Sequence, residues 1–388
     1  MISSEKTGVW GLEDVYLKAN EAYWTYAGEN GESPGELYIW GANAYGQVAD
    51  NTIVDRSSPV QVPGTEWKKP SMDYYDVLST KSDGTLWAWG YNNSGGLGDN
   101  TVIHRSSPIQ VPGTQWADDV VMRGRCSLAR KTDNTLWSWG YNTYGGSGQN
   151  DIIPYSSPRQ IPGTEWSATI LNAGYSAGQQ ACLKSDGTWW NWGYNPYGSL
   201  GQNDRVNYSS PVQLSGTEWD TGLFKASFSQ HGASGIKTDG TLWVWGSGDY
   251  GQMGDNNRVS YSSPVQLPGT EWKATSVTRH SSYLVKNDGT LWAMGRNHNG
   301  QLGHNNRTDR SSPTQIPGTQ WVYAICSYYS AAGLKSDGTL WTWGESGYGQ
   351  LGQNSSTVNL SSPTQIPGTG WDWVTGFVYG NSAIKLTS

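Results

Sequence analysis

A unit of about 50 residues recurs along the chain, and a period of that size restricts the fold to propellers, solenoids or arrays. The W-G dipeptide or its substitute stands at Trp40, Trp89, Trp139, Trp192, Trp245, Met294 and Trp343, at intervals of 49, 50, 53, 53, 49 and 49 residues. S-S-P starts at Ser57, Ser106, Ser156, Ser209, Ser262, Ser311 and Ser361. G-T-x-W ends at Trp67, Trp116, Trp166, Trp219, Trp272, Trp321 and Trp371. A repeat this short cannot bury its apolar face alone and must pack on its neighbours.

Each unit carries its own turn chemistry. Asp-Gly at 83–84, 186–187, 239–240, 288–289 and 337–338, with Asp133-Asn134 as a variant, predicts tight hairpins, because a type I′ turn needs positive φ at both central residues. In T-L-W-x-W-G the two Trp lie two apart and share one face of a strand. The G-x-N-x-x-G-Q-L-G run that follows is a glycine-supported loop. It ends on Asn51, Asn100, Asn150, Asn203, Asn256, Asn305 or Asn354, a residue type suited to a left-handed or Asx-turn position. S-S-P then leads into a segment whose proline favours a sheet edge. Each unit therefore reads as four short antiparallel strands with almost no helix.

The repeats begin and end out of phase. The first starts midway at Glu36-Leu37-Tyr38-Ile39-Trp40-Gly41, and the last strand, Ser382–Leu386, has no D-G-T-L-W after it. Pairing the two ends would close a ring and remove exposed sheet edges, whereas an open solenoid needs caps. The expected fold is all-β, a seven-bladed β-propeller over residues 37–388 closed by its N- and C-terminal strands. Residues 1–36 form a separate leader, in which Leu12, Val15, Tyr16, Ala19, Ala22 and Tyr23 have the spacing of a short amphipathic helix. The leader reads either as a plug packed on the propeller or as a docking segment built on Trp10, Leu12, Val15 and Tyr16.

Only 35% of residues are hydrophobic, so the core depends on 23 Trp, of which 19 occupy three repeated positions. Burying roughly 150–250 Å² per ring at about 25 cal/mol per Å² gives on the order of 4–6 kcal/mol gross each. The net charge of −7, without a Lys/Arg run, argues against nucleic-acid or anionic-membrane partners. Cys126, Cys182 and Cys326 occupy unrelated repeat positions, which suggests reduced buried thiols. No signal-peptide pattern and no apolar stretch long enough to insert in a membrane is present.

The combination D-G-T-L-W-x-W-G, G-x-N-x-x-G-Q-L-G and S-S-P-x-Q-[VIL]-P, in seven copies over about residues 37–386, resembles the regulator-of-chromosome-condensation (RCC1) repeat. The resemblance implies a seven-bladed propeller closed by its two ends. It does not by itself imply a function. Eukaryotic members include an exchange factor for a small GTPase, and bacterial relatives include secreted inhibitors of β-lactamase. This chain lacks a basic chromatin-binding tail and, in most units, the family's G-x-x-H-T loop. Its near-identical, Trp-heavy repeats look like propellers of bacteriophage and environmental viral proteins, and G-V-W-G-L-E-D-V-Y in the leader looks like segments of phage structural proteins. A virion protein assembled in the host cytoplasm needs no signal peptide.

Against so constant a framework, positions that differ between units are released from the architecture. The most variable stretch lies between G-T-x-W and the following L-K-x-D strand. It carries Tyr74, Tyr75, Arg123, Arg125, Tyr175, Gln179, Gln180, Gln230, His231, Arg279, His280, Tyr328, Tyr329, Tyr379 and Asn381, types favoured at protein and glycan contacts. Equivalent loops of a propeller emerge on one face, so these form either a binding ring or ordinary variable surface loops. A second ring, Tyr45, Tyr144, Tyr197, Tyr250 and Tyr348, is uniform enough to suggest packing. No metal-ligand spacing, nucleophile motif or phosphate loop is present, so neither catalytic residues, metal nor cofactor are expected. The expectation is a non-enzymatic virion component: a tail-fibre tip, receptor-binding or decoration protein, self-associating or not. It would hold other virion proteins through the leader and a host surface glycan or protein through one face. The alternative is a bacterial inhibitor or regulatory propeller.

Overall fold

The computed structural model describes residues 37–385 apart from 42, 55, 73–74, 124, 173–177, 223, 230, 327–328, 348–350, 352, 354–357, 370 and 378–379. Trp10, Leu12, Val15, Tyr16 and the predicted leader helix lie outside the described residues. The described secondary structure is entirely β. Six sheets have four strands each, in simple chain order. They begin at Trp67, Trp116, Trp166, Ala226, Trp272 and Trp321 and are numbered here as blades one to six. In blade one the strands are Trp67–Met72, Asp76–Lys81, Leu86–Gly90 and Arg105–Val111, antiparallel throughout.

The two ends supply a divided seventh blade. Trp371–Phe377 pairs with Gly380–Lys385, and Tyr38–Gly41 pairs with Arg56–Gln61. Each hairpin is a two-stranded sheet, and a ladder joining Gly380–Lys385 to Tyr38–Gly41 is not among the strand pairs of the described residues.

First strands of successive blades touch one another, so they line the axis. Met122 N of blade two donates to Ser71 Oγ of blade one at 3.0 Å, and Val277 N of blade five donates to Ser227 Oγ of blade four at 2.9 Å. The S-S-P strands form the outer edge of each four-stranded sheet, where proline's missing N–H costs no ladder bond.

The constant residues are consumed by contacts between blades. The second Trp of T-L-W-x-W-G donates its indole N–H to the preceding blade's loop: Trp89 to Gln47 O (3.0 Å), Trp139 to Gly96 O (2.8 Å), Trp192 to Gly146 O (2.9 Å) and Trp245 to Ser199 O (2.7 Å). Six loop-ending Asn residues have positive φ of 57–66°. Each donates its N–H to the first Ser carbonyl of the next blade's S-S-P, as in Asn100 N to Ser156 O at 2.7 Å. A Cβ on Gly95 would lie 2.6 Å from Ser156 Cα, which explains the loop's glycine. Each of these six loops therefore stitches its blade to the next.

On the Asp-Gly side the six complete blades share another device. Asp83 Oδ1 accepts from Thr85 N and Oγ1, and Trp87 Nε1 donates to Thr85 Oγ1 at 2.9 Å. Lys81 Nζ sits 4.3 and 5.0 Å from the Trp67 and Trp87 rings. The same lysine-on-two-indoles arrangement recurs at Lys131, Lys184, Lys237, Lys286 and Lys335. Trp189, the extra aromatic, is buried 5.4 Å from Trp219 and 5.2 Å from Trp245.

Candidate functional site

In a four-stranded antiparallel meander the first and third strands run the same way. The turn after the first strand and the long loop after the third therefore emerge on one face, opposite the Asp-Gly turns. The first-to-second turns lie nearest the axis, because both strands contact the neighbouring blade's first strand. They form a collar, and Tyr45, Tyr197 and Tyr250 of three long loops lean on Tyr75, His231 and His280 of the next blade's turn. The sequence reading treated two rings separately; the structure joins them into one surface.

At the junction of blades seven, one and two, the Tyr45 ring centroid lies 4.9 Å from Tyr75, 4.9 Å from Tyr91 and 5.1 Å from His104. His104 stacks on Tyr91 at 4.9 Å, and Arg125 Cζ lies 4.9 Å from the Tyr91 centroid. His104 Nδ1 accepts from Asn92 N at 2.9 Å, which leaves Nε2 as the outward ring nitrogen. Tyr144 and Tyr194 meet at 4.4 Å across blades two and three. Tyr197 stacks on His231 at 3.9 Å. Further round, Tyr250 meets His280 at 4.9 Å, and Arg296 Cζ lies 5.4 Å from Tyr250 and 5.5 Å from Tyr329.

Phenol chemistry separates these tyrosines from others in the chain. Tyr155, Tyr208 and Tyr261, which open outer strands, donate their hydroxyls to Asp151, Asp204 and Asp255. Among the described residues, the hydroxyls of Tyr45, Tyr91, Tyr144, Tyr194, Tyr197 and Tyr250 make no such bond. A half-buried phenol with an unpaired tip has an apolar body fixed by the protein and a polar end offered outward.

The collar's cationic character comes from arginine. Burial, and then the Arg279 guanidinium, push the His231 imidazole down to about 4; the same two causes, with Arg296 added, push His280 down to about 4. Asp249 acts in the opposite direction on both. Both imidazoles are therefore neutral near pH 7.

The sequence-predicted residues divide into three groups. Tyr75, Arg125 and Arg279 are exposed and Tyr329 is half-buried, in keeping with a surface ring. Gln179, Gln180, His231 and His280 are each at most 6% exposed, which corrects their placement as contact residues. Gln179 Nε2 donates to Ser199 Oγ at 2.7 Å, and Gln180 bonds the Cys126 thiol beneath the collar. His231 and His280 lie under the preceding blade's tyrosines. Tyr74, Tyr175, Gln230, Tyr328 and Tyr379 lie outside the described residues, and for Arg123 and Asn381 only strand backbone is described. Cys126 and Cys182 are buried free thiols; burial pushes the Cys126 thiol up to about 12 and Cys182 in the same direction.

Sequence reasoning missed two features. One is the contribution of Tyr91, His104, Tyr194 and Arg296 to the collar. The other is a crown of exposed aliphatic side chains, Ile53, Val54, Val102, Ile103, Ile152 and Ile153, followed by single residues Val206, Val259 and Val358. All precede S-S-P at nearly the same register, which was the available signal.

The regulator of chromosome condensation (RCC1) repeat matches residues 34–71, 83–122, 239–282, 288–334 and 337–382, more than half of the chain. The chain belongs to the RCC1-repeat family. The RCC1-repeat propeller of Prp20p from Saccharomyces cerevisiae superposes with a TM-score of 0.71 at 15% identity, covering 95% of each chain. Human WBSCR16 superposes with 0.68 at 18% identity, covering 90% of this chain and 98% of that one. At such identities the likeness shows the fold alone. The human E3 ubiquitin-protein ligase HERC2 is 27% identical over 95 residues, 24% of this chain, as is its mouse counterpart. The chain's match spans about 2% of the length of these curated relatives. The RCC1-repeat match leaves out residues 123–238, which include the lengthened segments of blades three and four.

Proposed function

We propose that the protein is a non-enzymatic binding propeller whose collar face seats a macromolecular partner. The observation that carries this reading is the set of outward tyrosines without hydroxyl partners, interleaved with Arg125, Arg279 and Arg296, on the face where the repeats differ. Tyrosine supplies large contact area at small entropic cost, and tyrosine and arginine are enriched among the residues that dominate binding energy at interfaces. Prp20p has binding properties to Gsp1p and histones, which supports protein recognition as a use of this fold. Among the described residues no three His, Cys, Asp or Glu side chains gather as metal ligands.

The setting we propose is a virion: a fibre tip, receptor-binding or decoration protein that contacts a host surface glycan or protein. Support for it comes from the resemblance of the Trp-heavy repeats to viral propellers and from a leader outside the repeat. Residues 1–36 would then dock the propeller on other virion proteins. Deleting residues 1–30 should leave the melting temperature of the propeller unchanged while abolishing incorporation into particles. An unfolded truncation product would make the leader a plug instead. The collar itself is tested by replacing Tyr75, Arg125 and Arg279 with Ala and measuring retention on cells and on a glycan array. Loss of saturable binding without loss of folding is expected; unchanged binding would remove the collar from the role.

A further inference from the structure

Arg125 stands where its turn does not favour it. Arg123 pairs with Cys126, so Arg125 lies in a tight connection between the first and second strands of blade two. Arg125 has φ of +67° there. Such a turn is served by Gly or Asn, because a Cβ in left-handed conformation meets the following carbonyl. At the corresponding turn of blade three, Gly178 takes φ of +89°. Backbone strain retained at an exposed side chain points to a use for that side chain.

The surroundings define that use. Arg125 is exposed, makes no ion pair among the described residues and is held over Tyr91. The carboxylates nearby are spoken for: Asp76 is buried, and Asp99 accepts from Arg105 Nε and Nη2 at 2.9 and 2.6 Å. Around the Tyr91 ring beneath the guanidinium lie Tyr75, which is 40% exposed, Tyr45 and the exposed His104 ring, whose Nδ1 is taken by Asn92 N. An unpaired guanidinium next to open aromatic rings matches a ligand that combines an anionic group with a flat apolar face.

We infer that Tyr45, Tyr75, Tyr91, His104 and Arg125 form a subsite for a carboxylated sugar residue of an acidic polysaccharide. Arg125 takes the carboxylate in bidentate fashion, Tyr75 receives the sugar's C–H face, and His104 Nε2 and the Tyr45 and Tyr91 hydroxyls serve its hydroxyl groups. A polysaccharide fits better than an acidic peptide because the chemistry recurs around the collar. Tyr144 with Tyr194, and Tyr250 with Tyr329 and Arg296, present similar aromatic steps one or more blades on, and a ligand of repeating units can occupy several at once. This inference rests on the collar being the docking face.

The test uses the full chain and immobilised polygalacturonate, hyaluronan and polysialate, with dextran as the neutral control and poly-glutamate as the acidic peptide control. Binding to at least one carboxylated polysaccharide, weakened by salt and absent on dextran, is expected. Arg125→Gly should weaken that binding by about tenfold or more while raising the melting temperature, since glycine relieves the turn. Tyr75→Ala should also weaken it. Preference for poly-glutamate, no binding to any of the three polysaccharides, or unchanged affinity in Arg125→Gly would each overturn the sugar subsite. If the Tyr75, Arg125, Arg279 triple variant loses cell binding while no acidic polysaccharide binds, only the ligand class is wrong. If that variant keeps its cell binding, the docking face itself is wrong.

Discussion

The two faces of this propeller are built from the same repeat and use their side chains in opposite ways. On the Asp-Gly face each complete blade places a lysine over two indoles and an aspartate on its own turn threonine, with little change from blade to blade. On the collar face the turns differ in residue type, and among the described residues the Tyr45, Tyr91, Tyr144, Tyr194, Tyr197 and Tyr250 hydroxyls make no hydrogen bond and Arg125 makes no ion pair. Where the repeat is constant, the W-G indole, the loop Asn and the turn Asp and Thr are used by contacts within the blade or with the next one. Where it varies, some side chains, such as Gln179 and His231, are buried, and others, such as Tyr75, Arg125 and Arg279, stay exposed to something outside the molecule. Sameness in this chain therefore marks architecture, and variation marks a surface released for recognition.

The sharpest way to break that comparison is to cut a stitch. Trp139→Ala removes a fully buried indole and its bond to Gly96 O, and should cost about 3–5 kcal/mol in denaturant unfolding. A loss below about 1 kcal/mol would mean that the constant positions are not the framework.

Acid probes the layer between the two faces. His231 and His280 titrate near 4 when folded against 6.5 unfolded. Their folded values are depressed, so stability is full above about 6.5, falls as the unfolded chain takes up protons, and levels off below about 4. Each imidazole should contribute a loss on the order of 3 kcal/mol across that window. A His231→Gln, His280→Gln variant should flatten the pH dependence of the melting temperature between pH 6.5 and 4.

A smaller effect sharpens the description of the Asp-Gly face. Lys131→Met keeps the aliphatic stem and removes the charge from Trp116 and Trp137, and should destabilise by about 1 kcal/mol. Salt should reduce the difference between the two proteins only weakly. The smallest effect is expected on the collar, where Tyr75→Ala should change unfolding free energy by no more than about 0.5 kcal/mol.

Much of the blade was legible before the structure. Asp-Gly marked the second turn, but only its glycine takes positive φ, so it is not the type I′ turn expected; the W-x-W spacing fixed one strand face, S-S-P marked the outer edge, and of the left-handed and Asx-turn readings of the terminal Asn its φ shows the left-handed one at six positions. These are local properties, and local sequence reports them. What stayed hidden is long-range. Nothing in Asn100 announces that its N–H reaches Ser156, nor in Tyr197 that its ring covers His231 in the next blade. For that reason Gln179, Gln180, His231 and His280 read as surface residues and proved buried. The aliphatic crown was visible at a fixed register, but β-branched residues just before an outer strand read as strand entry.

The central claim is that recognition belongs to exposed variable side chains of the collar and folding to the constant contacts that stitch the blades. Its most direct test is one paired measurement on the variant with Ala at Tyr75, Arg125 and Arg279: thermal unfolding beside saturable binding to cells or glycans. The account predicts a melting temperature within a few degrees of the parent protein and binding reduced to background. Retained binding, or a collapse of the fold in step with binding, would contradict it.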